Sequence, residues 1–212
     1  MNILYKEKVV YRALEELDAI LHAQEVLRFE LNVVGGFALM VQQIRMSDYT
    51  DIDYVGSPFP DSLREIIDEV GIRYGLGRGW INNDVLLAGS TLEELEELTG
   101  QLVFNHAFDL QVITVNVLDK PCLLRMKVIA IDTSFSELEV SGKFARVQDF
   151  EDIRLLMETL GCSMNDVVEN TFEYVMFPEI FHLIRYYVKT KDRNMFADSK
   201  WKRIIAGKGK VE

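Results

Sequence analysis

Leu31-Asn32-Val33-Val34-Gly35-Gly36-Phe37-Ala38-Leu39, followed by Thr50-Asp51-Ile52-Asp53-Tyr54-Val55, is the part of the chain on which its fold turns. The apolar run Leu31 to Val34 has the length and composition of a short buried strand. Gly35-Gly36 stops it, and residues 37–44 carry neither Gly nor Pro, which predicts a short helix. Strand, glycine turn and helix make the first unit. In the second stretch acids alternate with apolar residues at a period of two, so Asp51 and Asp53 fall on one face of a strand that Pro58 and Pro60 terminate.

That arrangement suits phosphate chemistry. Two aspartates at i and i+2 hold their Cβ atoms roughly 6 to 7 Å apart, a spacing set by the strand rise, so together they grip one hard cation or flank a pair. Mg²⁺ prefers such oxygen ligands and neutralises the charge of a reacting phosphate. Glycines at the start of a helix let an anion approach the backbone N–H groups, where the helix dipole is positive. Each feature also has a plain reading: Asp-x-Asp occurs on any solvated strand, and Gly-Gly serves any turn that needs positive φ.

Outward from this centre, residues 6–27 place Val9, Ala13, Leu14, Leu17, Ile20, Leu21 and Leu27 at helical spacing. After Pro60, Asp61 or Ser62 caps a helix running to about Tyr74. Gly75-Leu76-Gly77-Arg78-Gly79-Trp80 follows as a loop, either a lid over the cleft or an exposed connection. Thr91 and Glu94 have capping-box spacing for a helix that ends at Gly100. Leu102 to Phe108 and Leu110 to Leu118 read as adjacent strands. Pro121 sits in the first turn of a helix over Cys122 to Ile131, and residues 133–146 read as irregular or as a small hairpin. Asp149 and Asp152 are expected to cap a helix from Phe150 to Leu160, closed by Gly161. Ser163 with Asp166 caps another, to about Met176, and a last helix spans Pro178 to Lys189 before a basic tail. The fold class is therefore α+β: a mixed sheet flanked by helices over residues 1–118, and a helical region over 119–212.

Apolar residues at 49% and charged residues at 27% are near those of an ordinary globular chain and give no reason to expect extended disorder. The net charge of −11 conceals an asymmetry, because residues 185–210 hold nine Lys and Arg against Asp192 and Asp198. An acidic body argues against nonspecific duplex binding, which depends on phosphate neutralisation; the basic tail reads as a local contact or as a solvated, self-compensating segment. No apolar run is long enough to span a bilayer, and Met1 to Lys8 has no leader-like pattern, so the expectation is a cytoplasmic protein with no membrane partner. Cys122 and Cys162 read as buried free thiols, and His22, His106 and His182 lack ligand spacing.

The run Val34-Gly35-Gly36-Phe37-Ala38-Leu39, then Arg45, then Thr50-Asp51-Ile52-Asp53-Tyr54-Val55 resembles the signature of the DNA polymerase beta-like nucleotidyltransferase superfamily. The likeness is to its small bacterial branch, which includes the AbiEii-type abortive-infection toxins and uncharacterised nucleotidyltransferase-like proteins. Trp80-Ile81-Asn82-Asn83, Leu123-Leu124-Arg125-Met126-Lys127 and Arg146-Val147-Gln148-Asp149-Phe150-Glu151-Asp152-Ile153 are similar to that branch too, so the resemblance spans residues 31–161. It implies a nucleotidyltransferase-type fold in which Asp51 and Asp53 hold Mg²⁺ and a third acid in an apolar-acid-apolar setting completes the site. Asp109 in Phe108-Asp109-Leu110 fits that setting best, and Asp84 is the alternative. Gly35, Gly36, Arg45, Thr50 and Lys127 would contact the nucleotide, although Arg45 also reads as a surface residue at a helix end and Lys127 as a snorkelling one. Arg146, Asp149 and Asp152 read as a cap and an ion pair. The implied activity is transfer of a nucleoside monophosphate from an NTP to an acceptor hydroxyl on RNA, protein or a small molecule. The alternative is a non-catalytic module of the same fold that binds a nucleotide, a partner protein or a second copy, such as a toxin–antitoxin component.

Overall fold

Polar and apolar residues alternate along Glu30-Leu31-Asn32-Val33 and again along Thr114-Val115-Asn116-Val117. The two segments lie side by side as β1 (Phe29–Val33) and β5 (Ile113–Leu118), parallel and in register from Phe29↔Ile113 to Val33↔Val117. β4 (Phe104–Asp109) pairs antiparallel with β5, with a register shift between His106 and Phe108, so the sheet runs β1-β5-β4. Leu31, Val33, Ile113, Val115 and Val117 are buried on one face. The other face is a row of Glu30, Asn32, Thr114 and Asn116, in which the Asn116 Nδ2 donates to Asn32 Oδ1 at 3.0 Å and Glu30 Oε2 at 3.2 Å.

The computed structural model describes residues 8–47, 49–83, 92–141, 146–197 and 200–207. The chain forms two units: Met1–Glu97 with Gln101–Asp119, and Leu98–Gly100 with Lys120–Glu212. In the first, α1 (Val9–Ala23) buries the stripe Val10, Ala13, Leu14, Leu17 and Leu21, each worth about 1.5–3 kcal/mol for the larger side chains. It stops short of Leu27 because Glu25 takes a left-handed φ of 56°, which leaves Leu27 87% exposed. The buried Asp18 ties α1 to the β4–β5 turn: its carboxylate accepts the backbone N–H groups of Gln111, Val112 and Ile113 at 2.9, 2.8 and 2.9 Å.

A second, two-stranded sheet joins β2 (Ile52–Asp53) to β3 (Ile81–Asn82) in parallel, and a bridge between Val33 and Tyr54 links β1 to the segment after β2. Between them, α3 (Asp61–Arg73) carries Gly71 where a side chain would strike the Gly77 carbonyl and the Trp80 ring. The glycine-rich loop folds back there. Leu76 N donates to Gly71 O, Gly79 N to Asp68 Oδ1, and the buried Trp80 indole to Ile67 O at 2.7 Å. The loop is fastened to α3 rather than standing over a cleft. α4 (Leu92–Thr99) follows; Thr91, the predicted cap, and Asp84 lie outside the described residues.

In the second unit α5 (Lys120–Ser141) opens with Pro121 in its first turn but continues well past Ile131. The segment read as irregular is helical to Ser141, because nothing between Pro121 and Gly142 breaks a helix. Thr133 bonds back to the Ile129 carbonyl at 2.9 Å without disturbing it. α6 (Val147–Leu160) starts before Asp149 and ends at Gly161 with φ 66°. α7 (Met164–Thr171) has the Ser163–Asp166 capping box, but gives way to a short 3₁₀ turn at Phe172–Tyr174. α8 (Ile180–Thr190) and α9 (Lys200–Ile205) complete the unit; α9 lies inside the basic tail, where Trp201 and Ile204 are buried. No helix among the described residues is long and apolar enough to cross a membrane.

Candidate functional site

The two stretches quoted at the outset meet in space. Val34 N donates to Asp53 O at 2.9 Å and Val55 N to Asn32 O at 2.8 Å, so the segment around Asp53 runs antiparallel beside the end of β1. Gly35 follows at once with φ +64° and begins α2 (Gly35–Val41). A β-carbon on Gly35 would lie 2.5 Å from Asp53 Oδ2, so the carboxylate rests directly on the glycine. Ile52 and Tyr54 are buried, Asp53 is half-buried and Asp51 is exposed, but β2 holds only Ile52 and Asp53, so Asp51 stands just before the strand expected to carry both acids, and Val55 after it is buried.

Gly36 meets a different neighbour. A side chain there would collide with the ring of Tyr49, so the ring packs over this glycine. Arg45 reaches the same ring, its Cζ 5.7 Å from the centroid, and its Nε bonds Ser47 Oγ at 2.5 Å. Arg45, Ser47 and Tyr49 thus form a cover on the Gly36 side, while Thr50 is exposed beside Asp51.

Asp109 is not brought to this site. It pairs with Thr114, which pairs with Glu30 at the start of β1, whereas Asp53 lies against Val34 beyond the end of β1. Four residues along the strand and three strand spacings across put the two acids on the order of 20 Å apart. Asp109 instead binds Arg28, accepts from Thr114 Oγ1 at 2.9 Å and has His106 Nε2 at 3.5 Å. The Thr114 hydroxyl first, and then Arg28 and His106, hold its carboxyl below the usual range despite some desolvation. Such a carboxylate is a poor proton acceptor.

Lys127 belongs to the second unit, on α5, and its ammonium is taken up by two acids of α6: Asp149 Oδ1 at 2.5 Å and Asp152 Oδ2 at 2.9 Å. Both carboxylates are buried against Lys127, and because α6 begins at Val147 with Arg146 at its N-cap position, Asp149 and Asp152 lie inside the helix rather than capping it. Burial opposes the charge on Lys127, but Asp149 and Asp152 outweigh it and raise its pKa above the ordinary lysine value. Arg146 lies 3.4 Å from the second oxygen of Asp149.

Three amides share the face of Asp53; the sequence reading quoted Asn82 within a motif but assigned none of the three to the site. Asn82 is its register partner on β3, and Asn32 and Asn116 continue the row across β1 and β5. The signal for them was the strand alternation itself, in which a polar residue recurs at every second place. Among the described residues no group of three or more His, Cys, Asp and Glu side chains is placed to hold a metal ion. Two carboxylates still suit Mg²⁺, which is commonly held by one or two protein acids together with the phosphates it accompanies. No family model, curated protein or solved structure matches the chain.

Proposed function

We propose that the first unit is a nucleotidyltransferase-like module that binds a nucleoside triphosphate as its Mg²⁺ complex, with Asp51 and Asp53 as metal ligands and Gly35 as the point of closest phosphate approach. One observation carries this reading: the Asp53 carboxylate lies against the positive-φ glycine that opens α2, so metal and phosphate have a common meeting place. The activity this implies is transfer of a nucleoside monophosphate to an acceptor hydroxyl in the cytoplasm, with release of pyrophosphate.

A second reading, a nucleotide- or partner-binding module without transfer, is favoured by the position of Asp109. Transfer requires a group that takes the proton of the attacking hydroxyl. Asp109 sits at the far end of the sheet with Arg28, and the residues opposite Asp53 on either side are Asn82 and Val34, neither of them an acid.

Melting curves with each of the four NTPs, with and without Mg²⁺, test the shared core, because a ligand bound to the native state alone raises the melting temperature. A Mg²⁺-dependent rise is expected, lost in Asp51→Asn and kept in Asp109→Asn. No rise with any nucleotide sinks the site. Pyrophosphate release by the same protein then separates transfer from binding.

A further inference from the structure

The second unit contains a cavity of about 350 Å³ lined by Phe135, Phe177, Glu179, Trp201, Lys202 and Ile205. Its wall is aromatic. Phe135 on α5 meets Phe177 at 5.5 Å and stands edge-on to Trp201 of α9 at 5.9 Å, and both Phe135 and Trp201 are nearly buried, at 2% and 5% exposure. A space of this size with a part-aromatic, part-charged lining suits a small organic molecule. The wall is also fixed: the buried Asp132 accepts the backbone N–H groups of Met176 and Phe177 at 2.9 and 2.8 Å, which sets the path of the segment carrying Phe177 and Glu179.

At the same cavity stand one anion and one cation. Glu179 makes no ion pair through its carboxylate among the described residues, and the Lys202 ammonium lies 5.3 Å over the Trp201 ring with no carboxylate partner among them. A ligand with only a positive charge would be drawn to Glu179 but repelled by Lys202, and a simple anion would meet the reverse. A ligand bearing both charges on an apolar body satisfies the whole lining. We propose that this cavity binds a small zwitterion with an aromatic or branched apolar side chain, of the α-amino acid class. The ammonium group goes to Glu179, the carboxylate to Lys202 and the side chain between Phe135, Phe177 and Ile205.

Calorimetric titration of the full chain with L-phenylalanine and L-leucine tests this, with phenethylamine, 3-phenylpropanoate and glycine as probes lacking the carboxylate, the ammonium and the apolar side chain. Glu179→Gln and Lys202→Gln alter exposed groups and leave the packing in place. Saturable binding of L-phenylalanine or L-leucine is expected. Phenethylamine, 3-phenylpropanoate and each variant should weaken binding by about fivefold to tenfold, as loss of a partly exposed charged contact does, and glycine, which forgoes burial of the apolar side chain, should weaken it by more than about tenfold. Absence of saturable binding of both amino acids at millimolar concentration overturns the proposal. Equal binding of phenethylamine, unaffected by Lys202→Gln, would make the cavity a cation site, and binding unchanged in both variants would place the ligand elsewhere.

Discussion

Replacing Gly35 by Ala tests whether the glycine is there for Asp53. Two separate costs enter. An alanine held at φ +64° loses about 1–2 kcal/mol relative to glycine, because its Cβ crowds the carbonyl that follows. That Cβ also falls 2.5 Å from Asp53 Oδ2, so the carboxylate must turn from its rotamer, for about a further 1 kcal/mol. At roughly 2–4 °C per kcal/mol for a chain of this size, the melting temperature should fall by roughly 4–12 °C. Only the second cost disappears when Asp53 is absent. In an Asp53→Ala background, Gly35→Ala should therefore cost about 1 kcal/mol less, and urea unfolding of the four proteins reads that coupling directly. Single Gly35→Ala should also lose the melting-temperature rise with Mg²⁺ and NTP, because the displaced carboxylate no longer faces the turn. Equal costs in the two backgrounds, together with an undiminished nucleotide response, would refute the contact and its purpose.

Asp18→Ala removes the acceptor of three backbone N–H groups, two of them bonds in buried surroundings, and at about 1–3 kcal/mol per unsatisfied group the first unit should lose about 3 kcal/mol or more by urea denaturation. Tyr49→Ala clears the ring from Gly36, so Mg²⁺-dependent nucleotide affinity should rise; a fall in calorimetric affinity would instead make the ring part of the ligand's seat. Lys127→Met leaves Asp149 and Asp152 buried without their cation and should destabilise the second unit by about 3–5 kcal/mol. The folded pKa of Lys127 lies above its ordinary value of 10.5. Its contribution is therefore complete below about pH 10.5 and is lost as pH rises through the folded value, so wild type and Lys127→Met should converge in stability as the pH is raised through that value. A stability difference that stays constant over that alkaline rise would contradict the assignment.

What was legible in the chain was local. Strand, glycine turn and helix, and the alternation around Asp51 and Asp53, are set by neighbours within a few residues, and the structure places Gly35 and Asp53 together. The Ser163–Asp166 capping box is of the same kind. Asp109 was assigned from an apolar-acid-apolar pattern, but its position depends on how β4 pairs with β5 and β5 with β1, and no short window encodes that register. The same holds for Asn32, Asn82 and Asn116, none of them assigned to the site and all brought to one face only after the strands pair. Asp149 and Asp152 have the residue type of a helix cap, yet Lys127, more than twenty positions away, claims both. In α9 the tail's cations are conspicuous in sequence, while the burial of Trp201 and Ile204 that makes a helix there rests on tertiary packing.

The charges around Gly35 restrict what this site can bind. Asp51 and Asp53 face a ligand that is itself strongly anionic, and at about 5 Å with an effective dielectric constant of 20 each pair of like unit charges costs about 3 kcal/mol. Asn32, Asn82 and Asn116 are neutral and relieve none of it, and Lys127 is engaged by two acids of its own unit. Arg45, on the Gly36 side, is a cation whose guanidinium is occupied by Ser47 and the Tyr49 ring, and with the backbone N–H groups of a seven-residue helix it supplies only part of the compensation. A divalent ion between the carboxylates and the phosphates reverses the sign of the whole interaction. Nucleotide binding here should accordingly vanish on chelation rather than merely weaken, and an NTP that binds equally well in EDTA would have to be held by some other part of the chain.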